Sequence, residues 1–171
     1  YPIDINDYDA LKWVFKHEKP EVVFHTAAEA RIQPTIDEPQ KACLTNFVGT
    51  CNVLQACREF GARRLIYSST SSAYGLKSIP PLQEDMPRDC LNPYSVSKSA
   101  GEDLCKVYYK IYGIETVILR YFNVYGNREP TEGQYAPVIG LFLRQKREGL
   151  PMTIVGDGKQ TRDFTNVKDV V

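Results

Sequence analysis

Arg64-Leu-Ile-Tyr67 runs directly into Ser68-Ser-Thr70. A short, largely apolar run between two helical patterns reads as a buried strand of a parallel sheet. Glu21-Val-Val-Phe-His25 upstream and Thr116-Val-Ile-Leu119 downstream read the same way. Before the first strand, Asp7 to Lys19 reads as a helix with Leu11, Val14 and Phe15 on one face, stopped by Pro20. After it, Thr26 to Pro39 reads as a loop. In the long helix that follows, Cys43, Phe47, Cys51, Leu54 and Cys57 recur at helical spacing, and Gly61 ends it. A further helix runs from about Tyr94 to Tyr112, with Val96, Ala100, Leu104, Val107 and Ile111 predicted to face inward and Gly113 at its end. Residues 136–148 read as helical, and Met152–Val155 and Thr161–Phe164 as extended. Gly156-Asp-Gly158 reads as a turn. Strands alternating with helices predict an α/β fold with a doubly wound parallel sheet.

Composition narrows the class. The chain has 171 residues, 43% hydrophobic and 25% charged, with a formal net charge of zero. That suits a globular domain with its own core. The balanced charge points away from nucleic acid and anionic membrane as partners. No run of about 18 apolar residues is visible, so no membrane span is expected. Five cysteines without a CxxC pair predict free thiols in a reducing, cytoplasmic setting. Three of them share the long helix, where small apolar packing is the expected role. The Cys, His and carboxylate spacing of a metal site is absent, so no metal is expected.

Parallel sheets of this kind bind ligands beyond the carboxyl ends of their strands. His25-Thr-Ala-Ala28, Ser68-Ser-Thr70 and Tyr121-Phe-Asn123 are each placed just past a strand, on one edge. A helix then opens with Tyr94-Ser-Val-Ser-Lys98. Residues four apart share a helix face, and a cation beside a phenol favours phenolate. Bringing a phenol from a pKa of about 10 to near neutrality takes roughly 4 kcal/mol of differential stabilisation. Such a tyrosine can take a proton from an alcohol and return it. Tyr8 and Lys12 match the same spacing. They read as a helix surface pair, because only Tyr94 faces the strand ends. His25 reads as a strand-end histidine without a catalytic role. Asn46, mid-helix where asparagine is disfavoured, is expected to make a fixed polar contact. The glycine-rich fingerprint that opens a dinucleotide fold is not found in these residues.

These pieces together resemble the extended short-chain dehydrogenase/reductases, in the class of NAD-dependent nucleotide-sugar epimerases and dehydratases typified by UDP-glucose 4-epimerase. The resemblance rests on Asp4-Ile5, His25-Thr-Ala-Ala28, Thr45-Asn46 with Gly49-Thr50, Ser68-Ser-Thr70 through Tyr74-Gly75, Pro93-Tyr94-Ser-Val-Ser-Lys98, Arg120-Tyr-Phe-Asn123 with Tyr125-Gly126, and Gly156-Asp-Gly158 through Arg162-Asp-Phe164. It covers nearly the whole chain. It implies an internal fragment of a longer enzyme, with the first βα units before Tyr1 and more of a substrate domain after Val171. Residues 1–125 would then be a partial Rossmann domain binding NAD, and 126–171 the start of a substrate region.

The roles the resemblance implies are as follows. Tyr94 is the acid/base, Lys98 tunes it and holds the nicotinamide ribose, and Thr70 assists at the substrate oxygen. Asp4 and Ile5 touch the adenine, Ala27 and Ala28 lie against the dinucleotide, and Asn46, Ser68 and Ser69 line its side. Tyr121 and Phe122 flank the nicotinamide. Asn123 and Arg162 hold the substrate's diphosphate, for which a forked guanidinium is suited. Helices near 41–60 and 94–112 would pair two copies as a homodimer. Dehydratases of the class carry Asp and Glu after the Thr70 position, and related decarboxylases keep the Glu. Ser71 and Ser72 stand there instead, which favours C4 epimerisation of a UDP-hexose through a 4-keto sugar. A reductase, a dehydrogenase, a dehydratase or a non-catalytic binding module remain the alternatives.

Overall fold

A computed structural model describes residues 1–133 and 136–171. It divides into two compact units, Tyr1–Tyr121 and Phe122–Val171. The first unit contains α1 (Tyr8–Glu18), β1 (Val22–His25), α2 (Ile32–Asp37), α3 (Pro39–Cys43), a π-helical turn (Leu44–Gly49), α4 (Thr50–Phe60), β2 (Arg64–Thr70), a 3-10 turn (Ser71–Tyr74), α5 (Pro93–Tyr112) and β3 (Glu115–Tyr121). The strands form one parallel sheet in the order β1-β2-β3. His25 pairs with Tyr67, and Thr70 with Tyr121, so β2 and β3 run beyond the end of β1.

One sheet face carries the core. Leu11 and Phe15 of α1, Val53, Leu54 and Cys57 of α4, Leu65 and Tyr67 of β2, and Cys105 and Tyr108 of α5 are all buried there. The opposite face is bare, with Phe24 71% exposed and Val117 partly open. Local signals start the helices. The Asp7 carboxylate accepts the Ala10 N–H at 3.0 Å and begins α1. Asn92 accepts the Ser95 N–H at 2.9 Å while its own N–H donates to Ser95 Oγ at 3.2 Å, with Pro93 at the first helical position of α5. Gly61 and Gly113 end α4 and α5 with positive φ, a conformation in which glycine carries no Cβ penalty.

Several expectations need correction. Of the expected inward stripe of α5, Leu104 packs against the core, but Val96, Val107 and Ile111 are exposed, and the buried face is Ser95, Ser97, Lys98, Ser99, Gly101, Glu102, Cys105 and Tyr108. Helical periodicity locates a stripe but not what covers it. Polar partners on β2 and β3 select the other face. In the long helix, the π-helical turn at Leu44–Gly49 inserts an extra residue and shifts the phase by about 100°. Cys57 therefore packs in the core, while Cys43 and Phe47 are exposed. The stretch Thr26–Pro39 contains α2, with Pro34 in its first turn, where its missing N–H costs nothing. Ser68–Thr70 are the last residues of β2 itself, not of the loop beyond it.

The second unit holds β4 (Asn123–Tyr125), α6 (Val138–Glu148), β5 (Phe164–Asn166) and α7 (Val167–Val170), with β4 and β5 paired in parallel. Met152–Val155 form no strand. The Gln145 side chain takes the place of a neighbouring strand, accepting the Thr153 N–H at 3.1 Å and donating to the Thr153 hydroxyl at 2.7 Å. The last strand is Phe164–Asn166, so it begins at Phe164 and not at the expected Thr161. Gly156 and Gly158 both have positive φ, as the turn there requires. Among the described residues, no helix is long and apolar enough to cross a membrane.

Candidate active site

In the first unit, the opening turns of α5 lie against the end of β2. Lys98 is 2% exposed, and its Nζ sits 4.2 Å from the centroid of the Tyr67 ring. Burial pulls the Lys98 ammonium down to about 8, partly offset by the Glu102 carboxylate. Among the described residues Lys98 Nζ donates no hydrogen bond to protein. An ammonium on so buried a side chain, not bonded to protein, suits the acceptors of a bound group. Tyr94 lies one turn earlier and is half-buried. Thr70 is buried at the end of β2, where its Oγ1 accepts the Ser72 N–H at 3.1 Å and caps the following turn. That leaves its hydroxyl proton free to donate. Ser71 and Ser72 follow at once, so hydroxyls and not carboxylates flank Thr70.

Asn46 is fully buried within the π-helical turn. Its Oδ1 accepts the Glu29 N–H at 2.8 Å, and its Nδ2 donates to the Glu29 carbonyl and to Ser97 Oγ, both at 3.0 Å. The expected fixed polar contact is therefore present. It ties the segment after β1, which contains Ala27 and Ala28, to α5. His25 is buried, with Nε2 2.9 Å from Thr50 Oγ1. Burial, and then the Lys98 charge, push its imidazole down to about 4, so it stays neutral at ordinary pH. Asp4 accepts from the Asn6 N–H and side-chain amide, both at 2.9 Å. The side chain of Ile5 is in close contact with Gly49, where a Cβ would collide with it. Ser68 is half-buried on the bare sheet face, whereas Ser69 points to the other side and donates to Glu102. Tyr121 ends β3 beside Thr70 in register.

Glu102 and Arg120 carry no role in the sequence pattern, yet they meet here. Arg120 donates to both carboxylate oxygens of Glu102 at 2.8 Å, and its Nη1 donates to the Glu84 carbonyl at 3.3 Å. Burial pushes the Glu102 carboxyl up, but the Arg120 and Ser69 hydrogen bonds outweigh it and leave it below its ordinary value. This pair locks α5 to β3 and to the loop that precedes α5. Arg88 adds a second clamp, donating to the Ser99 carbonyl at 2.7 Å and to Asp103 at 2.8 Å. One signal is legible in the chain: Glu102 continues the four-residue series of Tyr94 and Lys98.

In the second unit, Asn123 begins β4 and its Nδ2 donates to the Asp163 carbonyl at 3.0 Å. The guanidinium of Arg162 donates to the Thr161 carbonyl at 2.7 Å and makes no ion pair among the described residues. Arg162 borders a cavity of about 590 Å³ with Val138, Ile139, Phe142, Val155 and Phe164. Apolar walls with a cation at the border suit a flat organic group that carries negative charge. Phe122 begins this unit and is partly exposed.

The sequence model of the NAD dependent epimerase/dehydratase family matches residues 1–171. This chain belongs to that family. It is 37% identical over 171 residues to the UDP-glucuronate 4-epimerase of Thermodesulfobacterium geofontis, covering 99% of this chain and 51% of the relative. It is 40% identical over 177 residues to the UDP-N-acetyl-alpha-D-glucosaminuronate decarboxylase of Bacillus cytotoxicus, covering 99% and 53%. The solved UDP-glucose 4-epimerase of Thermotoga maritima, crystallised with UDP-glucose, superposes with a TM-score of 0.95 at 32% identity. That match covers 99% of this chain and 55% of the solved one. The α/β fold expected from the alternating pattern is thus the fold of solved epimerases. The chain spans about half the length of the curated relatives it matches.

Proposed function

We propose that this chain forms part of an NAD-dependent nucleotide-sugar 4-epimerase acting on a UDP-hexose. The observation that carries this reading is the buried Lys98 ammonium. Its donors are unclaimed by protein among the described residues, it lies one turn from Tyr94, and Thr70 stands at the end of the adjoining strand. Free donors on Lys98 fit the vicinal hydroxyls of a ribose. The small side chains of Ala27 and Ala28, open at the exit of β1, leave room for a dinucleotide beside them. Asp4 and Ile5, Asn46, Ser68 and Ser69, and Tyr121 and Phe122 are the further residues assigned to the cofactor. Ser69 and Asn46 act through the segments they hold, since their polar atoms are already bonded.

In this reading Tyr94 removes the proton of the C4 hydroxyl and later returns it. Thr70 donates to the same oxygen and keeps it aimed at the phenol. Lys98, one turn later on the same helix, is the cation assigned to this phenol. NAD, when bound, supplies reversible hydride acceptance at C4, so the sugar passes through a 4-keto form. Asn123 and Arg162 hold the diphosphate while the sugar turns, and the apolar cavity beside Arg162 receives the base. The hydroxyls at Ser71 and Ser72 leave no carboxylate for dehydration chemistry. The first unit is assigned to cofactor and chemistry, and the second to the nucleotide sugar. The bare sheet face at Phe24 and Val117 is the surface that a second helix layer covers in a doubly wound sheet.

The exposed Val96, Val107 and Ile111 of α5, with Leu44, Phe47 and Val48 ahead of α4, form the apolar surface we assign to a homodimer contact. The five thiols are all free, in keeping with a reducing cytoplasmic setting. The direct assay incubates the full-length natural protein with a UDP-hexose and NAD. Interconversion of the C4 epimers without net NADH absorbance is the expected result. Accumulating NADH would instead identify an oxidoreductase, carbon dioxide release a decarboxylase, and failure to bind NAD a non-catalytic module.

A further inference from the structure

Lys98 is held from below by a residue that the sugar chemistry does not use. Tyr67 lies on β2, three residues before Thr70, and is fully buried. Its ring face meets the Lys98 ammonium 4.2 Å from the centroid. Its hydroxyl donates to the backbone carbonyl of Lys98 at 3.1 Å. The ring and the helix turn that carries the lysine are therefore fastened to each other. Gly101 makes this approach possible, because a Cβ there would collide with the Tyr67 hydroxyl.

We propose that Tyr67 is a positioning residue whose ring face seats the Lys98 ammonium and fixes it one turn from Tyr94. This rests on the assignment of Lys98 to the reaction made above. An aromatic face attracts a cation through its quadrupole, and the attraction grows when the pair is desolvated. A buried ammonium otherwise tends to lose its proton. The seat opposes that loss. The other groups facing Lys98 are His25 from β1 and Cys105 and Glu102 from its own helix, with Tyr94 one turn before it. His25 is neutral, so it neither repels nor holds the charge at neutral pH. Burial pushes the Cys105 thiol up to about 12, so it too is neutral. Glu102 is already bound bidentately by Arg120. Tyr67 itself is driven above the ordinary phenol range by burial, so it acts as a ring and not as a second base.

The test replaces residue 67 in the full-length protein by Phe and by phenylalanines carrying one, two and three ring fluorines. Fluorine drains the ring face of negative charge while nearly preserving its shape. The Cε resonance of Lys98, assigned by its loss in Lys98→Gln, reports the titration without requiring activity. Tyr67→Phe should keep the midpoint near about 8. The fluorinated rings should lower it stepwise, by about one pH unit in total. The pH at which nucleotide-sugar turnover is half-maximal should move in parallel. A midpoint that is constant across the fluorine series overturns the seat. Ring-fluorinated tyrosines at 67 retain the bond to the Lys98 carbonyl and give the same reading if the phenylalanine series unfolds. If no nucleotide sugar turns over even in the wild type, the functional reading fails, while the Lys98 titration still decides the seat.

Discussion

Helices α1 and α5 each begin with a polar cap and carry a tyrosine followed four residues later by a lysine. In α1, Lys12 lies 5.2 Å from the Tyr8 ring centroid, is 39% exposed along its side chain and pairs with Asp9 at 3.5 Å. Water and a surface carboxylate surround its ammonium. In α5, Lys98 is buried, rests on the ring of a different strand and has no carboxylate bonded to it among the described residues. One spacing thus gives two chemistries. Spacing brings the two side chains to one face, but the layer packed against that face decides whether the lysine is solvated or held.

The largest effect should come from removing each phenol in turn. In the full-length protein, Tyr94→Phe should lower epimerisation by about 10²–10⁴-fold with the melting temperature unchanged. Tyr8→Phe should leave turnover intact. Equal losses in the two variants would erase the distinction between the helices. Next comes the ionic partner of each helix. Glu102→Ala leaves the Arg120 charge buried and unpaired, which should cost about 3–5 kcal/mol in urea unfolding. Asp9→Ala on α1 should leave the unfolding midpoint where it was.

Acid should separate the regions again through His25, which faces Lys98. Its folded value, about 4, lies below its ordinary 6.5. Between these values the unfolded chain binds the extra proton and the folded chain does not. Stability from this group is therefore complete above pH 6.5 and lost as pH falls toward 4, by roughly 3 kcal/mol across the window. Unfolding measured at several pH values in wild type and His25→Gln should show this slope shrinking in the variant. The smallest effect belongs to the caps. Asp7→Ala and Asn92→Ala should each cost about 1 kcal/mol, yet only Asn92→Ala should also slow turnover, because α5 alone presents Tyr94 and Lys98.

Much of the fold is legible in the chain itself. The strand runs at Glu21–His25, Arg64–Tyr67 and Thr116–Leu119 each hold a short apolar stretch, and the parallel sheet follows from them. Helix ends at Gly61 and Gly113 are written in single residues. Asn46 announces itself by being a poor choice for mid-helix. The buried face of α5 is not legible. Its apolar residues make the stronger periodic signal, while serines, a lysine and a glutamate fill the face that meets the sheet. The pairing of Glu102 with Arg120 is hidden for a related reason, the two being 18 residues apart and meeting only when α5 packs on β3. The π-helical turn is also invisible, since one extra residue in a turn leaves no mark in composition.

The sequence by itself determined what depends on near neighbours: the alternation of strand and helix, the caps that begin α1 and α5, and the tyrosine–lysine spacing in both. Backbone propensity and side-chain periodicity act over a few residues, so they can be read along the chain. Only the tertiary structure decided which of the two pairs is desolvated, which face of α5 turns to the sheet and which aromatic ring lies under Lys98. Those depend on groups far apart in sequence, as Tyr67 and Lys98 are, 31 residues from each other. Burial and charge act through space and take no account of sequence distance.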